Sequence, residues 1–259
     1  MSAPLLQPAM SMWRREIVRF YRQRNRIIGA LATPLVFWLL IGSGLGPSFQ
    51  LPDTNMNYLE YFFPGTVVLI MLFTAIFSTI SVIEDRREGI LQSVLVSPAA
   101  PISIALGKFL GGATLSLCQG LLFCLLAPFA GIGIGLGQWP LLLGVFFLVG
   151  LGMTGLGFLI AWPMESTQGF HAIMNVLLMP MWLMSGALFP AATGTWVFWA
   201  MAINPVTYAV AMIRRVLYPV DPGVMNLPDW GLSLAVFGGF TLLTLWLSAR
   251  MVRTYPGKL

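Results

Sequence analysis

His171 is the chain's only histidine, and Glu165, six residues earlier, is the one acid near it. A metal centre or an acid–base pair needs convergent ligands within hydrogen-bond reach. No second metal ligand lies close in sequence, so His171 is expected to be a polar residue near the start of a helix. The His-Glu-x-x-His and Gly-x-Ser-x-Gly patterns are absent, and with them the usual metalloprotease and serine-hydrolase chemistry. There is no Gly-x-x-x-x-Gly-Lys-Ser/Thr loop, so the chain carries no phosphate cradle of that kind. Gly150, Gly152 and Gly155 spell Gly-x-Gly-x-x-Gly within an apolar run with no strand before it. Close helix packing through small residues is the reading there, not dinucleotide binding. Cys118 and Cys124, six apart on one helix, point in different directions and are not expected to pair.

The chemistry that remains is that of binding. Glu84, Asp85, Arg86, Arg87 and Glu88 form an unbroken charged run in the middle of an apolar sequence. Gly89 follows, then Ile90, Leu91, Val94 and Leu95 on one face of a short helix, stopped by Ser97-Pro98. Five charges at its start make such a helix a poor guest in lipid. Its apolar ridge fits a groove on another protein, with the charges setting orientation.

These residues sit in a chain that is 58% hydrophobic and 9% charged. A soluble domain is about 25% charged, so the class is an all-α polytopic membrane protein. Residues 10–26 read as an amphipathic helix lying at the membrane surface. Trp13, Ile17, Phe20 and Tyr21 are spaced for one side; Arg15, Arg19, Arg22 and Arg26 occupy the other, facing anionic headgroups. Six spans are expected, at about 27–45, 62–83, 104–129, 139–161, 170–189 and 231–249. The apolar run 196–213 is broken by Asn204-Pro205 and reads as two short helices re-entering from the outer side, within an extracytoplasmic segment 190–229. On this layout every Arg and Lys except Arg214 and Arg215 falls on one side. The positive-inside rule makes that side the cytoplasm, with both termini and the loop 84–103 in it. No signal peptide is evident, and the whole of 1–259 reads as one transmembrane domain.

Ionisable residues are nearly absent from the spans, with Glu60 and Lys108 at their edges. This counts against ion-coupled carriers and charged-ring channels. The uncharged stripes are Phe73 and Phe77 on the second span and Asn175, Met179 and Trp182 on the fifth. Packing explains them; a route for a bulky amphipathic substrate would use the same residues.

In order, the motifs resemble those of membrane subunits of type-2 ABC exporters, the family of drug, lipid and polysaccharide export permeases. The resemblance is carried by the charged cluster 84–87, Glu88-Gly89, the short helix 90–96, Ser97-Pro98 and Gly107-Lys108. A second stretch, Asn204-Pro205-Val206-Thr207-Tyr208 with Arg214 after it, is similar to the family's Asn-Pro-x-Thr-Tyr segment. Pro101 is a departure, standing near a place where the family often has Arg. The resemblance implies a permease subunit in the plasma (inner) membrane, acting as a homodimer or with a related permease. It implies two copies of a cytoplasmic ABC ATPase that carry ATP and Mg themselves, with no cofactor on this chain and no nucleic acid. The 84–98 loop would receive the ATPase's motion. The substrate would be a hydrophobic drug, a lipid, or a glycolipid or polysaccharide. An ion-coupled carrier and a non-transport intramembrane enzyme are the alternatives.

Overall fold

A computed structural model describes residues 5–45, 56–90, 100, 102–189, 196–219 and 227–254, and all regular structure among them is helical. In chain order the helices are α1 (Leu6–Arg22), α2 (Arg24–Leu45), α3 (Tyr58–Ser78), α4 (Ile80–Arg87), α5 (Ile102–Cys124), α6 (Trp139–Ala161), α7 (Thr167–Leu183), α8 (Trp196–Ile203), α9 (Pro205–Leu217) and α10 (Trp230–Thr254).

The bundle is built around α3. Its sequence is apolar on every side, the pattern of a helix with no solvent face, and nearly all of its residues are buried. It starts at a capping box: Asn57 accepts from the Glu60 N–H at 2.9 Å, and Glu60 Oε2 accepts from the Asn57 N–H at 2.9 Å. Against α3 lie α2, α5 and α6; α6 in turn packs on α10, α9 on α10, and α1 on α5. The close approaches use glycine. A Cβ at Gly150 would stand 2.9 Å from the Cα of Ala113 in α5. One at Gly152 or Gly155 would meet the Thr241 or Thr244 hydroxyl of α10 at 2.6 or 2.5 Å. The Gly-x-Gly-x-x-Gly series is thus a packing face on two neighbours.

Among the described residues, four helical stretches are long and apolar enough to cross a membrane: Tyr58–Arg87, Ile102–Cys124, Leu136–Ala161 and Trp230–Thr254. The α8–α9 pair, bent by 85° at Asn204, makes a fifth if counted as one span. The span expected at 27–45 falls within α2. The span expected at 170–189 is shorter than expected: α7 has 17 residues, about 26 Å against a hydrocarbon core of about 30 Å. The span expected at 104–129 ends as α-helix at Cys124 and turns through a 3-10 segment at Ala127–Ala130. Pro128 near the start of that segment and Gly131 at φ 81° after it explain the early stop.

Candidate functional site

Lys108 lies on α5 between two glycines, Gly107 and Gly111, that let α1 come close. A Cβ at Gly107 would stand 2.8 Å from the Ala9 carbonyl oxygen, and one at Gly111 2.8 Å from the Glu16 Cβ. Ala9, Met12 and Glu16 are the buried residues of α1, and Trp13 Nε1 donates to Thr114 Oγ1 at 3.1 Å. So α1 is docked on α5 through a face that includes an acid.

That acid meets the lysine. Lys108 Nζ donates to Glu16 Oε1 at 2.6 Å, Ser81 Oγ at 2.7 Å and Asp85 Oδ2 at 2.5 Å, using all three of its protons. The side chains of Lys108, Glu16 and Asp85 are 2%, 5% and 0% exposed. Asp85 Oδ1 also accepts from Arg15 and, at 3.0 Å, from Arg19. Arg19 continues to Glu84 at 2.8 Å and Glu88 at 3.7 Å. Burial by itself would lower the Arg19 pKa, but Glu84, Asp85 and Glu16 outweigh it and hold it above the usual arginine value. Taking ions out of water costs several kcal/mol each unless partners and hydrogen bonds compensate; here each buried ion has them.

Arg86 and Arg87 point the other way. Arg86 donates to the carbonyls of Met164, at 3.2 Å, and Trp162, with its guanidinium 5.6 Å from the centre of the Trp162 ring. Arg87 Nε donates to the Glu165 carbonyl at 2.9 Å. These carbonyls follow the end of α6, where cations are favoured. The charged run 84–88 is therefore a hub, its acids holding α1 and its arginines holding the α6–α7 connection. Gly89, at φ 72°, turns the chain out of α4. Ile90 is helical again; Leu91, Val94, Leu95, Ser97 and Pro98 lie outside the described residues.

Two expectations change. Arg15 and Arg19 do not face headgroups; they face the acids of α4, while Arg22 is exposed. Nor is the chain without buried charge, since Glu16, Asp85, Lys108 and Arg214 are all inside. Arg214, expected at the outer surface, donates to the Tyr61 and Gly186 carbonyls at 3.1 and 3.3 Å and lies 4.1 Å over the Tyr61 ring. Glu16 was not singled out from the sequence, although it is the lone acid among the six arginines of 14–26.

At the bend, Asn204 Oδ1 accepts from the Val206 N–H at 3.0 Å, and its Nδ2 donates to the Met181 and Met184 carbonyls at 2.5 and 3.1 Å. Pro205 takes the first helical position of α9, where its missing N–H costs nothing. The Tyr208 hydroxyl donates to the Ala202 carbonyl at 2.6 Å, and Thr207 is buried. The Asn-Pro-x-Thr-Tyr segment thus sets the bend and pins it to the end of α7.

A cavity of about 430 Å³ opens between α2, α3 and α7, with Phe20 of α1 at one end. Phe73, Phe77, Asn175, Met179 and Trp182 all line it. Phe77 stands between Phe73 and His171, with ring centres 5.3 and 5.0 Å apart. His171 is an exposed residue in the first part of α7.

The family model for ABC-2 type transporters matches residues 8–218. The chain is 28% identical over 218 residues to the transport permease ycf38 of Cyanophora paradoxa, covering 81% of this chain and 73% of that one. It is 26% identical to nodulation protein J of Rhizobium leguminosarum bv. trifolii, over 80% of each. To the daunorubicin resistance ABC transporter permease protein DrrB1 of Streptomyces coeruleorubidus it is 24% identical, over 93% of this chain and 84% of that one.

Proposed function

The chain belongs to the ABC-2 type transporter family, and from that premise we propose that it is the transmembrane subunit of an ATP-driven exporter, working as a dimer and driven by two copies of a separate ATPase. ATP and Mg sit on that partner. The subunit lies in the inner membrane with six spans and both termini cytoplasmic; α7 is the short one, and α8–α9 re-enter from outside. The loop after α4 is the ATPase contact.

The observation that carries this reading is the hub at 84–88. A loop that receives force must hand it on, and this one is tied by buried ion pairs to α1 and α5 and by Arg86 and Arg87 to the α6–α7 connection. Motion imposed on the loop then reaches both α3, through the helix it ends, and α7. Those two helices border the cavity, which supports placing the substrate path there. The names of the relatives, a daunorubicin resistance permease among them, favour an amphipathic cargo over an ion.

The test is purification of the native protein from its membrane. A nucleotide-hydrolysing subunit should accompany it, and scrambling 87–95 should release that subunit and abolish ATP-dependent export. Transport that survives the scrambling, or that runs on a proton gradient without ATP, would defeat the proposal.

A further inference from the structure

The cavity between α2, α3 and α7 is graded along its length. From Ser78 to Leu69 its wall follows α3 for about 14 Å at 1.5 Å per residue. The end near α1 and the middle carry hydrogen-bonding groups: Thr33, Ser78, His171, Thr74 and Asn175. The far end is Leu69, Phe37, Met179 and Trp182. Trp182 presents only ring there, because its Nε1 is committed to the Gly65 carbonyl at 2.8 Å. The Ser78 hydroxyl is likewise committed, to the Ala75 carbonyl at 2.6 Å.

Thr74 is different. It is 3% exposed, borders the cavity, and its buried Oγ1 has no hydrogen-bond partner among the described residues. Buried hydroxyls are nearly always paired, and a threonine in a helix can ordinarily bond back to a carbonyl of the preceding turn. Its neighbours Thr66 and Thr154 do so. An orphan hydroxyl in an aromatic wall marks where a ligand's polar group would be satisfied. No Asp, Glu, Lys or Arg is among the described lining residues. An ion would enter without a counter-charge, and ring faces recover only part of a cation's hydration. The volume, about 430 Å³, falls in the range of small-molecule sites, about 300–1,000 Å³.

We propose that this cavity binds an uncharged, ring-bearing amphiphile, its hydrogen-bonding group on Thr74 Oγ1 and its rings against Phe73, Phe77 and Trp182. That the ligand is cargo rests on the export reading; that it binds does not.

N-phenyl-1-naphthylamine, a neutral dye with one N–H, should bind saturably to the full chain in phosphatidylcholine nanodiscs. Thr74→Val keeps the side-chain shape and should weaken binding about 5- to 10-fold, the size of one hydrogen bond, while Thr74→Ser should bind as the native protein does. Ala30→Trp fills the cavity and should abolish binding. The same ring system with a fixed sulfonate, 8-anilino-1-naphthalenesulfonate, should bind at least about tenfold more weakly. Equal affinity in Thr74→Val and native protein would overturn the proposal. So would a sulfonate or tetraphenylphosphonium that competes as well as the neutral dye. So would the absence of any saturable component above empty nanodiscs, which would mean that acyl chains fill the space. Dye that binds as described but is never moved by ATP with the partner ATPase present leaves the site standing and removes the export reading alone.

Discussion

Replacing Lys108 by methionine removes an ammonium whose three protons are all used inside the protein. The loss is uneven. Asp85 keeps Arg15 and Arg19, whereas Glu16, 5% exposed, loses the lysine it is paired with. Stranding one member of a buried pair costs about 3–5 kcal/mol, or about two to three and a half orders of magnitude in the folding equilibrium. Glu16→Met is milder, about 1–3 kcal/mol, because Lys108 retains Asp85 and Ser81. The double variant K108M/E16M removes both charges of that pair and leaves only Asp85 Oδ2 short of a partner, so it should be more stable than K108M alone, with a coupling of about 2 kcal/mol. Unfolding by SDS titration in mixed micelles, followed by circular dichroism, measures the three variants. Hydrogen exchange over 6–22 locates the damage, which should begin with loss of α1 from α5. Unchanged unfolding of K108M, or a double variant that loses the sum of the two single losses, would refute the account of the cluster as the fastening of α1.

Gly111→Val puts a branched side chain where the Glu16 Cβ would be 2.8 Å from its first carbon; α1 should undock while the bundle stays folded, seen as tryptic cleavage at the arginines of α1. Arg86→Ala leaves the Trp162 and Met164 carbonyls without their guanidinium. It should cost about 1–3 kcal/mol and raise ATP hydrolysed per molecule exported, with Arg86→Lys in between. Asn204→Ala removes a helix cap and two side-chain hydrogen bonds, for about 1–2 kcal/mol. Asn204→Asp keeps the cap alone and should recover part of it in a thermal melt.

Some of this was open to reading in the residues. The limits of α6 at 139–161 follow from one apolar run with Trp139-Pro140 at its start. The break at Asn204-Pro205 follows from local chemistry, an asparagine that caps and a proline that cannot continue the previous helix. The five residues nominated on two helix stripes share one cavity wall, because a stripe's direction is fixed by helical period. What failed was partner choice over distance. Arg15 and Arg19 were assigned to headgroups because their true acids lie 70 and 66 residues on. Lys108 stands at the edge of an expected span, and nothing in its neighbourhood in sequence points to Glu16, 92 residues earlier. The orphan state of Thr74 has no sequence signal, since it depends on what the neighbouring helices leave empty.

The docking of α1 also has a history in time. Glu16 and Lys108 are 92 residues apart, and Glu84 and Asp85 precede the lysine. On a growing chain α1 is made first and its buried acid has nothing to meet until α5 has emerged. For that interval α1 is a cationic amphipathic segment with six nearby arginines, and Glu84 and Asp85 are the first acids made that can meet Arg15 and Arg19. Lys108 is the residue that gives Glu16 its partner, and with it α1 becomes part of the bundle.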